Sequence, residues 1–295
     1  MKRFGKRLAV ISAVLAGIGI ILIIIGVNCG GAGIIKKNIS NNEQLFIHFN
    51  SDDINTDGME ELAENQSMFS KDEVKSIELK GKYGEFEFCQ WDKEEIGISI
   101  RNHSGNIKYS VQENTLKIVD NGKRTFLWKN KSCKMVVYIP TDYKLNRLDI
   151  NIGAGTVKGN YISAGELDID IGAGQGTFEN VTADNIKVSV GAGEADIVNG
   201  KFGTCDIDVG MGDADITGMI MGNTDIDCGV GSVSLELQNS YKDFNYALKV
   251  ATGEIELNEN EYEGFSNQEK INNNAAWNMD IDCGIGDVSV KLLGN

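Results

Sequence analysis

The chain has 295 residues, of which 41% are hydrophobic, so it is long enough to bury a substantial core. It contains 35 glycines and one proline, a composition that favours many tight turns over a disordered linker. The formal net charge is −15, although Lys2, Arg3, Lys6 and Arg7 are clustered at the N-terminus. Nucleic-acid binders need basic clusters on the folded domain, so this balance argues against a nucleic-acid partner.

An uncharged, predominantly apolar run of 20 residues covers positions 8–27. A helix of this length spans roughly 30 Å, about one hydrocarbon core. The preceding basic residues predict a cytoplasmic N-terminus at 1–7, a transmembrane helix at 8–27 and an extracytoplasmic remainder. Two alternatives are a cleaved signal peptide, whose apolar core is usually shorter, and a lipoprotein modified at Cys29. The sequence therefore predicts a single-pass cell-membrane protein.

Residues 28–70 are rich in Asn, Asp, Glu and Ser, which indicates a polar juxtamembrane stalk. Within it, Gly58 to Ser67 favours a short helix. The remainder, 71–295, is predicted to be an extracytoplasmic β domain. Six cysteines occur without a Cys-x-x-Cys motif, and His48 and His103 are the two histidines, so a zinc site of ordinary spacing is not expected.

A Gly-x-Gly motif recurs in the second half of the chain at a strict interval of 19 residues. Recurrence at a fixed period is the sequence signature of a solenoid, in which each repeat forms one rung that buries its apolar face by stacking on its neighbours. The sequence therefore predicts an all-β fold, a β-solenoid with 19-residue rungs that are strict over 148–237. The copies are Gly153-Ala154-Gly155, Gly172-Ala173-Gly174, Gly191-Ala192-Gly193, Gly210-Met211-Gly212 and Gly229-Val230-Gly231, with Gly284-Ile285-Gly286 near the C-terminus.

Apolar residues hold fixed offsets from the first glycine of each motif. They stand at −5, −3 and −1, as in Leu167, Ile169 and Ile171, and usually at +4 and +6, as in Ala195 and Ile197. Alternation with period two indicates a half-buried strand on each side of the glycines. The glycines are expected to supply a turn whose backbone angles resist side chains.

The same offsets extend beyond the strict repeats, so residues 71–295 are predicted to form one continuous β architecture. Cys205, Cys228 and Cys283 fall on inward positions, where a thiol behaves as a small hydrophobe. The additional apolar residues are Ile77, Leu79, Phe86 and Phe88 around Gly84, then Ile98, Ile100, Ile107 and Tyr109 around Gly105, and Ile255 and Leu257 after Gly253.

Carboxylates occupy many of the outward positions. Aligned carboxylates on neighbouring strands repel one another, and a hard cation such as Ca²⁺, which takes 6–8 oxygen ligands, would relieve that repulsion. The alternative is a solvated acidic face that prevents edge-to-edge aggregation. The residues predicted for a cation-binding face are Asp206, Asp208, Asp213, Asp215, Asp225 and Asp227.

Catalysis finds little support in the sequence. Carboxylate pairs serve glycosidases, but a ladder of aspartates contains such pairs by construction. No Ser-His-Asp order, His-Glu-x-x-His motif or phosphate-binding loop is present in the sequence. We therefore predict a protein that is not an enzyme and has neither catalytic residues nor an organic cofactor. A polysaccharide-active enzyme that uses Asp208 and Asp227 is the least favoured alternative.

The pattern resembles a bacterial envelope family, the putative-adhesin domain of unknown function 4097, over roughly 71–295. The resemblance is carried by the strand pair Tyr109-Ser110-Val111 and Leu116-Lys117-Ile118, the Val136-Val137-Tyr138-Ile139-Pro140 run, and Leu148-Asp149-Ile150 at the start of the glycine repeats. It implies a β-solenoid, a frequent N-terminal membrane helix, and adhesion or envelope-stress roles without known catalytic residues.

Two functional hypotheses follow from these features. The first is a membrane-anchored surface scaffold or adhesin-like protein that binds wall polymer or envelope proteins. The second is a regulatory or sensory envelope-stress protein that acts through membrane partners.

Overall fold

A computed structural model describes residues 56, 58–62, 66–101, 107–120, 133–263 and 267–294, all within one unit, Ile54–Asn295. These residues form strands over most of their length, as the alternating pattern predicts, with one 3-10 turn at Tyr241–Asp243. The strands are β1 Glu60–Glu61, β2 Gln66–Ser70, β3 Ser76–Trp91, β4 Glu95–Arg101, β5 Ile107–Gln112, β6 Thr115–Asp120, β7 Cys133–Pro140, β8 Leu145–Asn160, β9 Ser163–Ile171, β10 Gln175–Glu179, β11 Thr182–Val190, β12 Glu194–Val209, β13 Asp213–Ile220, β14 Thr224–Cys228, β15 Ser232–Ser240, β16 Phe244–Val250, β17 Glu254–Leu257, β18 Asn260–Glu263, β19 Asn267–Ile271, β20 Trp277–Cys283 and β21 Asp287–Gly294.

Each repeat contributes one strand segment before its Gly-x-Gly corner and one after it. The segments before the corner pair in the order β1-β5-β6-β3-β8-β9-β11-β12-β14-β20-β16-β19, which we name the pre-corner sheet. The segments after it pair in the order β2-β4-β7-β3-β8-β10-β12-β13-β15-β21-β17-β18, the post-corner sheet. The predicted β-solenoid is confirmed.

The inward columns match the predicted offsets. Ile169 pairs with Ile150 on one side and Val188 on the other, and all three side chains are fully buried. On the other side of the corner, Ala195 and Ile197 are buried in the same way. Since each fully buried aliphatic side chain contributes roughly 1.5–3 kcal/mol, this stacked core is the main source of stability.

The corner glycines are required by steric contact and not, in general, by backbone angle. Among the described corner glycines, Gly155 is the one with a positive φ, +129°. A Cβ at Gly172 or Gly191 would lie 2.7 Å from the carbonyl oxygen of the rung below, and a Cβ at Gly212 would overlap the backbone of Gly193. The predicted explanation from turn angles is therefore wrong for most of these positions: stacked corners pack too closely to admit a side chain.

Left-handed backbone occurs instead at the opposite corner. Asn180 and Asn199 adopt φ of 56° and 60° there, a conformation that asparagine tolerates better than most residues. Their side chains form a ladder, in which the Asn199 amide donates to Asn180 at 2.6 Å and the Asn180 amide donates to Asn160 at 3.1 Å. These hydrogen bonds pair the side-chain amide groups of the turn, which would otherwise bind solvent water.

Rung order in space differs from order in sequence at both ends of the stack. The C-terminal rung, β20 and β21, lies between the β14–β15 rung and the β16–β17 rung. At the other end, β3 lies between the β6–β7 rung and β8. Antiparallel strands then cover the outermost rungs, β5 and β4 at one end and β19 and β18 at the other. Covered ends protect a solenoid from edge-to-edge association.

Two sequence-based expectations need correction at the N-terminal end. The segment around Gly105 does not form a parallel rung, because β4 runs antiparallel to β7 and β5 antiparallel to β6. The short helix expected within Gly58 to Ser67 is wrong, since β1 and β2 occupy this region and pair with β5 and β4. The β domain therefore begins before residue 71, inside the segment predicted as stalk.

The predicted membrane helix at 8–27 lies outside the described residues. Within the part of the chain that is described, no helix has the length and apolarity needed to cross a bilayer.

Candidate binding surface

The structure divides the six aspartates predicted to bind a cation between two sheets. Asp206 and Asp208 on β12 and Asp225 and Asp227 on β14 face outward from the pre-corner sheet, in direct register. The other two, Asp213 and Asp215 on β13, belong to the post-corner sheet. The six residues therefore do not form one site, because the Gly-x-Gly corner separates Asp213 and Asp215 from the other four aspartates.

The inserted C-terminal rung adds two carboxylates that the prediction left out. Asp280 pairs with Asp225 and Asp282 with Asp227. A signal for this contact exists in the sequence, since Asp-Ile-Asp-Cys-Gly occurs at both 225–229 and 280–284. We name the resulting cluster the acidic patch. It consists of Asp206, Asp208, Asp225, Asp227, Asp280 and Asp282.

The ion pairs of the acidic patch in the described part of the chain are formed at its margins. Lys187 pairs with Asp206 at 3.1 Å, and Lys249 pairs with Asp282 at 3.3 Å. In the described part of the chain, no ion pair is formed by the other four members, Asp208, Asp225, Asp227 and Asp280.

The N-terminal part of the pre-corner sheet differs from the acidic patch in its ion pairs. There Arg147 alone contacts three carboxylates, at 3.4 Å from Asp149, 2.8 Å from Glu166 and 3.2 Å from Asp168. No described basic residue forms an ion pair of this kind with the centre of the acidic patch.

Crowding changes the protonation of the acidic patch. The pKa of Asp227 is raised above its ordinary value, first by burial and then by the neighbouring carboxylates Asp225, Asp282 and Asp208. The pKa of Asp225 is raised by burial and by Asp206 and Asp280, against the opposing effects of Lys249 and of the Ile226 backbone. Ionised carboxylates in this patch therefore repel one another, and an approaching positive charge would lower their energy.

A shallow cavity of about 330 Å³ adjoins the patch near the starts of β14 and β20, beside residues 204–206 of β12. Thr224, which is 3% exposed, contributes a hydroxyl oxygen with no hydrogen-bond partner. Buried polar atoms are nearly always satisfied, so the cavity offers an unused hydrogen-bonding group beside three carboxylates. The lining residues are Thr204, Cys205, Asp206, Asn223, Thr224, Asp225, Asn278 and Asp280.

An apolar ridge runs along the Gly-x-Gly corners, between the acidic columns of the two sheets. Its members are the middle residues of stacked corners, and backbone bonds such as Met211 N–H to Gly191 O at 2.7 Å and Ile285 N–H to Gly229 O at 2.7 Å hold them in line. Met211, Val230 and Ile285 are 51%, 46% and 64% exposed. We name this feature the corner ridge. It comprises Ala154, Ala173, Ala192, Met211, Val230 and Ile285.

A second cavity, about 670 Å³, is an open depression at the C-terminal end of the post-corner sheet. Tyr241 and Leu292 line it, together with Lys291, whose ammonium group pairs with Glu236 at 3.1 Å. The pKa of the Tyr241 hydroxyl is raised, first by burial and then by Tyr262, so this phenol stays protonated. Asp208 and Asp227, the pair considered for glycan hydrolysis, lie elsewhere, side by side on the outer face of the pre-corner sheet.

Calcium coordination receives no geometric support from the described residues. Among them, no group of three or more His, Cys, Asp or Glu side chains is arranged so that it could hold a metal ion. In-register carboxylates on neighbouring strands project side by side and do not converge on one point.

We expect acidification from pH 7 toward the ordinary Asp pKa of 3.8 to raise the melting temperature. Asp149, Asp170, Asp225 and Asp227 have raised pKa values, first because of burial and then because of nearby carboxylates. A folded-state pKa above the unfolded value gives stability that is complete below the unfolded pKa and is lost as pH rises through the folded one. Glu78 opposes the trend, since Lys80 and Lys117 lower its pKa against the effect of burial.

Thermal unfolding between pH 4 and 8 measures this effect, and a melting temperature that falls steadily from pH 7 to 4 would contradict it. Added salt should also raise the melting temperature at pH 7 by screening the repulsion. Calcium chloride and sodium chloride at matched ionic strength should act equally. A larger shift with calcium would instead support the predicted cation site.

Residues 98–291 match the family model described as Toastrack DUF4097, which covers more than half of the chain. The chain belongs to the Toastrack DUF4097 family. No curated protein matches its sequence.

Solved structures with similarity to this Toastrack domain come from several bacteria. One is described as a "putative cell adhesion protein" from Clostridium sporogenes, with 16% identity, 79% of this chain and 99% of that chain covered, and a TM-score of 0.38. A "putative adhesin" from Bacteroides fragilis has 16% identity, coverage of 76% and 95%, and a TM-score of 0.42. A "putative lipid binding protein" from Parabacteroides distasonis has 17% identity, coverage of 77% and 97%, and a TM-score of 0.35.

Proposed function

We propose that this Toastrack protein is a non-enzymatic, adhesin-like binding protein of the cell envelope. Its acidic patch would bind a positively charged partner, either an envelope protein or a wall polymer that carries amino groups. The observation that carries the proposal is the centre of the patch, where Asp208, Asp225, Asp227 and Asp280 stand in register without an ion pair in the described part of the chain.

The strands beneath the patch suit recognition by a rigid surface. Asp225 and Asp227 stand on β14, which pairs on both sides, with β12 and β20, so their spacing along the sheet is set by backbone hydrogen bonds. Rigid elements hold recognition groups with less loss of entropy on binding than loops do. Burial and then mutual repulsion raise the pKa of Asp227 and Asp225 in the free protein, and a cationic partner would relieve the repulsion on binding.

The corner ridge offers the partner an apolar contact surface beside the acidic patch. Met211, Val230 and Ile285 project beside the acidic columns, and each is about half exposed or more. A partner surface with basic groups next to apolar side chains would match this pattern. An anionic lipid surface would not, because the patch and the membrane would repel each other.

The predicted anchor would put this surface outside the cell. The uncharged run at 8–27 and the basic residues before it support a single-pass membrane protein with a cytoplasmic N-terminus. In that arrangement the Toastrack domain faces the wall and the outer parts of other envelope proteins.

The proposal predicts that removing the charge of the patch centre abolishes binding. The variant replaces Asp208, Asp225, Asp227 and Asp280 with asparagine. We expect a loss of at least tenfold in affinity for isolated walls or solubilised envelope proteins of the parent bacterium, and wild-type binding that weakens as salt is added. Pull-down with quantitative mass spectrometry and a salt series measure both.

The matched control removes the same charge from the post-corner sheet, by Glu194→Gln with Asp196→Asn, Asp213→Asn and Asp215→Asn. This control should bind as the wild type does. If both variants lose affinity equally, net charge and not the patch is responsible. Wild-type binding that the patch variant keeps in full would overturn the proposal.

A further inference from the structure

Two buried cysteines face each other across the junction between β14 and the inserted strand β20. Cys228 and Cys283 are direct partners in the parallel register, and both occupy the inward position before a Gly-x-Gly corner. Neighbouring strands lie about 4.8 Å apart, within the range of roughly 4.4–6.8 Å between Cα atoms that disulfides adopt. The register therefore brings the two thiols within bonding reach.

The surroundings of the two sulfur atoms isolate them as a pair. In the same column the next residues are Val209 on one side and Val250 on the other, so each thiol has one sulfur neighbour and one aliphatic neighbour. Both cysteines are free thiols, and each donates to a carbonyl of its own corner, Cys228 Sγ to Gly231 at 3.2 Å and Cys283 Sγ to Gly286 at 2.9 Å.

Two glycines leave room for these sulfur atoms. A Cβ at Gly286 would lie 2.8 Å from Cys228 Sγ, and a Cβ at Gly253 would lie 2.9 Å from Cys283 Sγ. Any side chain at either corner would compress the thiols. Both corners also exclude a side chain by backbone contact, since a Cβ at Gly286 would overlap the Gly231 oxygen.

The pair stands at the place where rung order departs from sequence order. The C-terminal rung is inserted between the β14–β15 and β16–β17 rungs, and parallel backbone pairing attaches it on both sides. A covalent link from Cys228 to Cys283 would connect it to the regular stack and close a loop that contains β15 to β19. Such a link removes loop-closure entropy from the unfolded chain.

We propose that Cys228 and Cys283 form a disulfide that locks the inserted C-terminal rung in place. One thiol, as thiolate, attacks a disulfide oxidant to form a mixed disulfide and release one thiolate of that oxidant. The second cysteine then displaces the remaining oxidant thiolate, so that the protein loses two protons and two electrons and the oxidant gains them. The use of this bond in the cell rests on the extracytoplasmic location proposed above, but its formation by a chemical oxidant does not.

The test uses the full chain in mild detergent, refolded from denaturant with a glutathione redox buffer or with dithiothreitol. Non-reducing proteolysis and mass spectrometry should find one linked peptide pair, Cys228 to Cys283, and alkylation should label two fewer of the six cysteines. The oxidised form should melt about 10 °C above the reduced form, and dithiothreitol added to the unfolded oxidised chain should abolish the difference.

Matched variants distinguish the effect of the disulfide bond from the effect of side-chain packing. Cys205→Ser, at another inward position, should keep the linked peptide, whereas Cys228→Ala with Cys283→Ala should melt at one temperature in both buffers. Alkylation of Cys228 and Cys283 in the oxidised wild type, or their linkage to other cysteines, would overturn the proposal. Since this readout does not involve partner binding, it succeeds or fails independently of the proposed function.

Discussion

Replacing Ile169 with aspartate should remove most of the stability of the β domain. Ile169 is fully buried on β9 and packs in a column between Ile150 and Val188. The substitution loses the burial of an aliphatic side chain and introduces a carboxylate with no partner, and together these cost about 5 kcal/mol or more. This is comparable to the whole stability of many domains. Denaturation in urea, followed by circular dichroism, measures the loss.

The next residue supplies the control. Asp170→Asn should change the free energy of unfolding by about 0.5 kcal/mol or less, since the side chain faces outward. The small change should be favourable, because burial and then Asp168 and Asp208 raise the pKa of Asp170 and an amide removes that repulsion. Equal losses from the two substitutions would show that the assigned register is incorrect.

Gly212→Ala should also destabilise the domain strongly. An alanine Cβ would overlap the carbonyl oxygen of Gly193 and lie 2.7 Å from Val190 Cγ1. The first of these atoms belongs to the backbone of the rung below, so relief requires the stacked corners to separate. We expect a loss of about 3 kcal/mol, at the upper end for overpacked sites, measured as a lower denaturation midpoint in urea.

Two neighbouring substitutions serve as comparisons for the loss of stability caused by Gly212→Ala. Gly210→Ala should cost less than Gly212→Ala, because its Cβ would lie 2.9 Å from the Gly191 oxygen, whereas the Cβ at Gly212 would lie still closer to the Gly193 oxygen. Met211→Ala should be nearly neutral for stability, since this side chain is 51% exposed on the corner ridge. If Gly212→Ala proved as mild as Met211→Ala, close approach of the corners would not be the reason for the glycines.

Gly210 and Gly212 show that a sequence pattern can predict a feature correctly for a physical reason that differs from the expected one. Their recurrence predicts a tight corner in each rung, and each corner lies where it is expected. The sequence offers turn angles as the reason, but most described corner glycines have a negative φ. The distance between rungs is a property of the assembled stack, so the steric reason becomes visible in the tertiary structure alone.

In the candidate binding surface, too, some features follow from the sequence and others become visible in the tertiary structure alone. The columns containing Asp206, Asp208, Asp225 and Asp227 are evident from the period of 19 residues, and they do lie together. The predicted cation-binding face also includes Asp213 and Asp215, but the corner directs them to the other sheet. The repeated Asp-Ile-Asp-Cys-Gly segments bring Asp280 and Asp282 beside the group instead.

The sequence by itself determined the rung, its two strands, its inward columns and its corners. These features are local, because alternation along a strand records which face is buried and a glycine records where a side chain cannot fit. The tertiary structure alone decided which rungs are neighbours at the two ends, which strands turn antiparallel to cover them, and which carboxylates and thiols meet. The physical reason is that backbone hydrogen bonding is the same at every strand edge, so the pattern within a rung does not specify its neighbour.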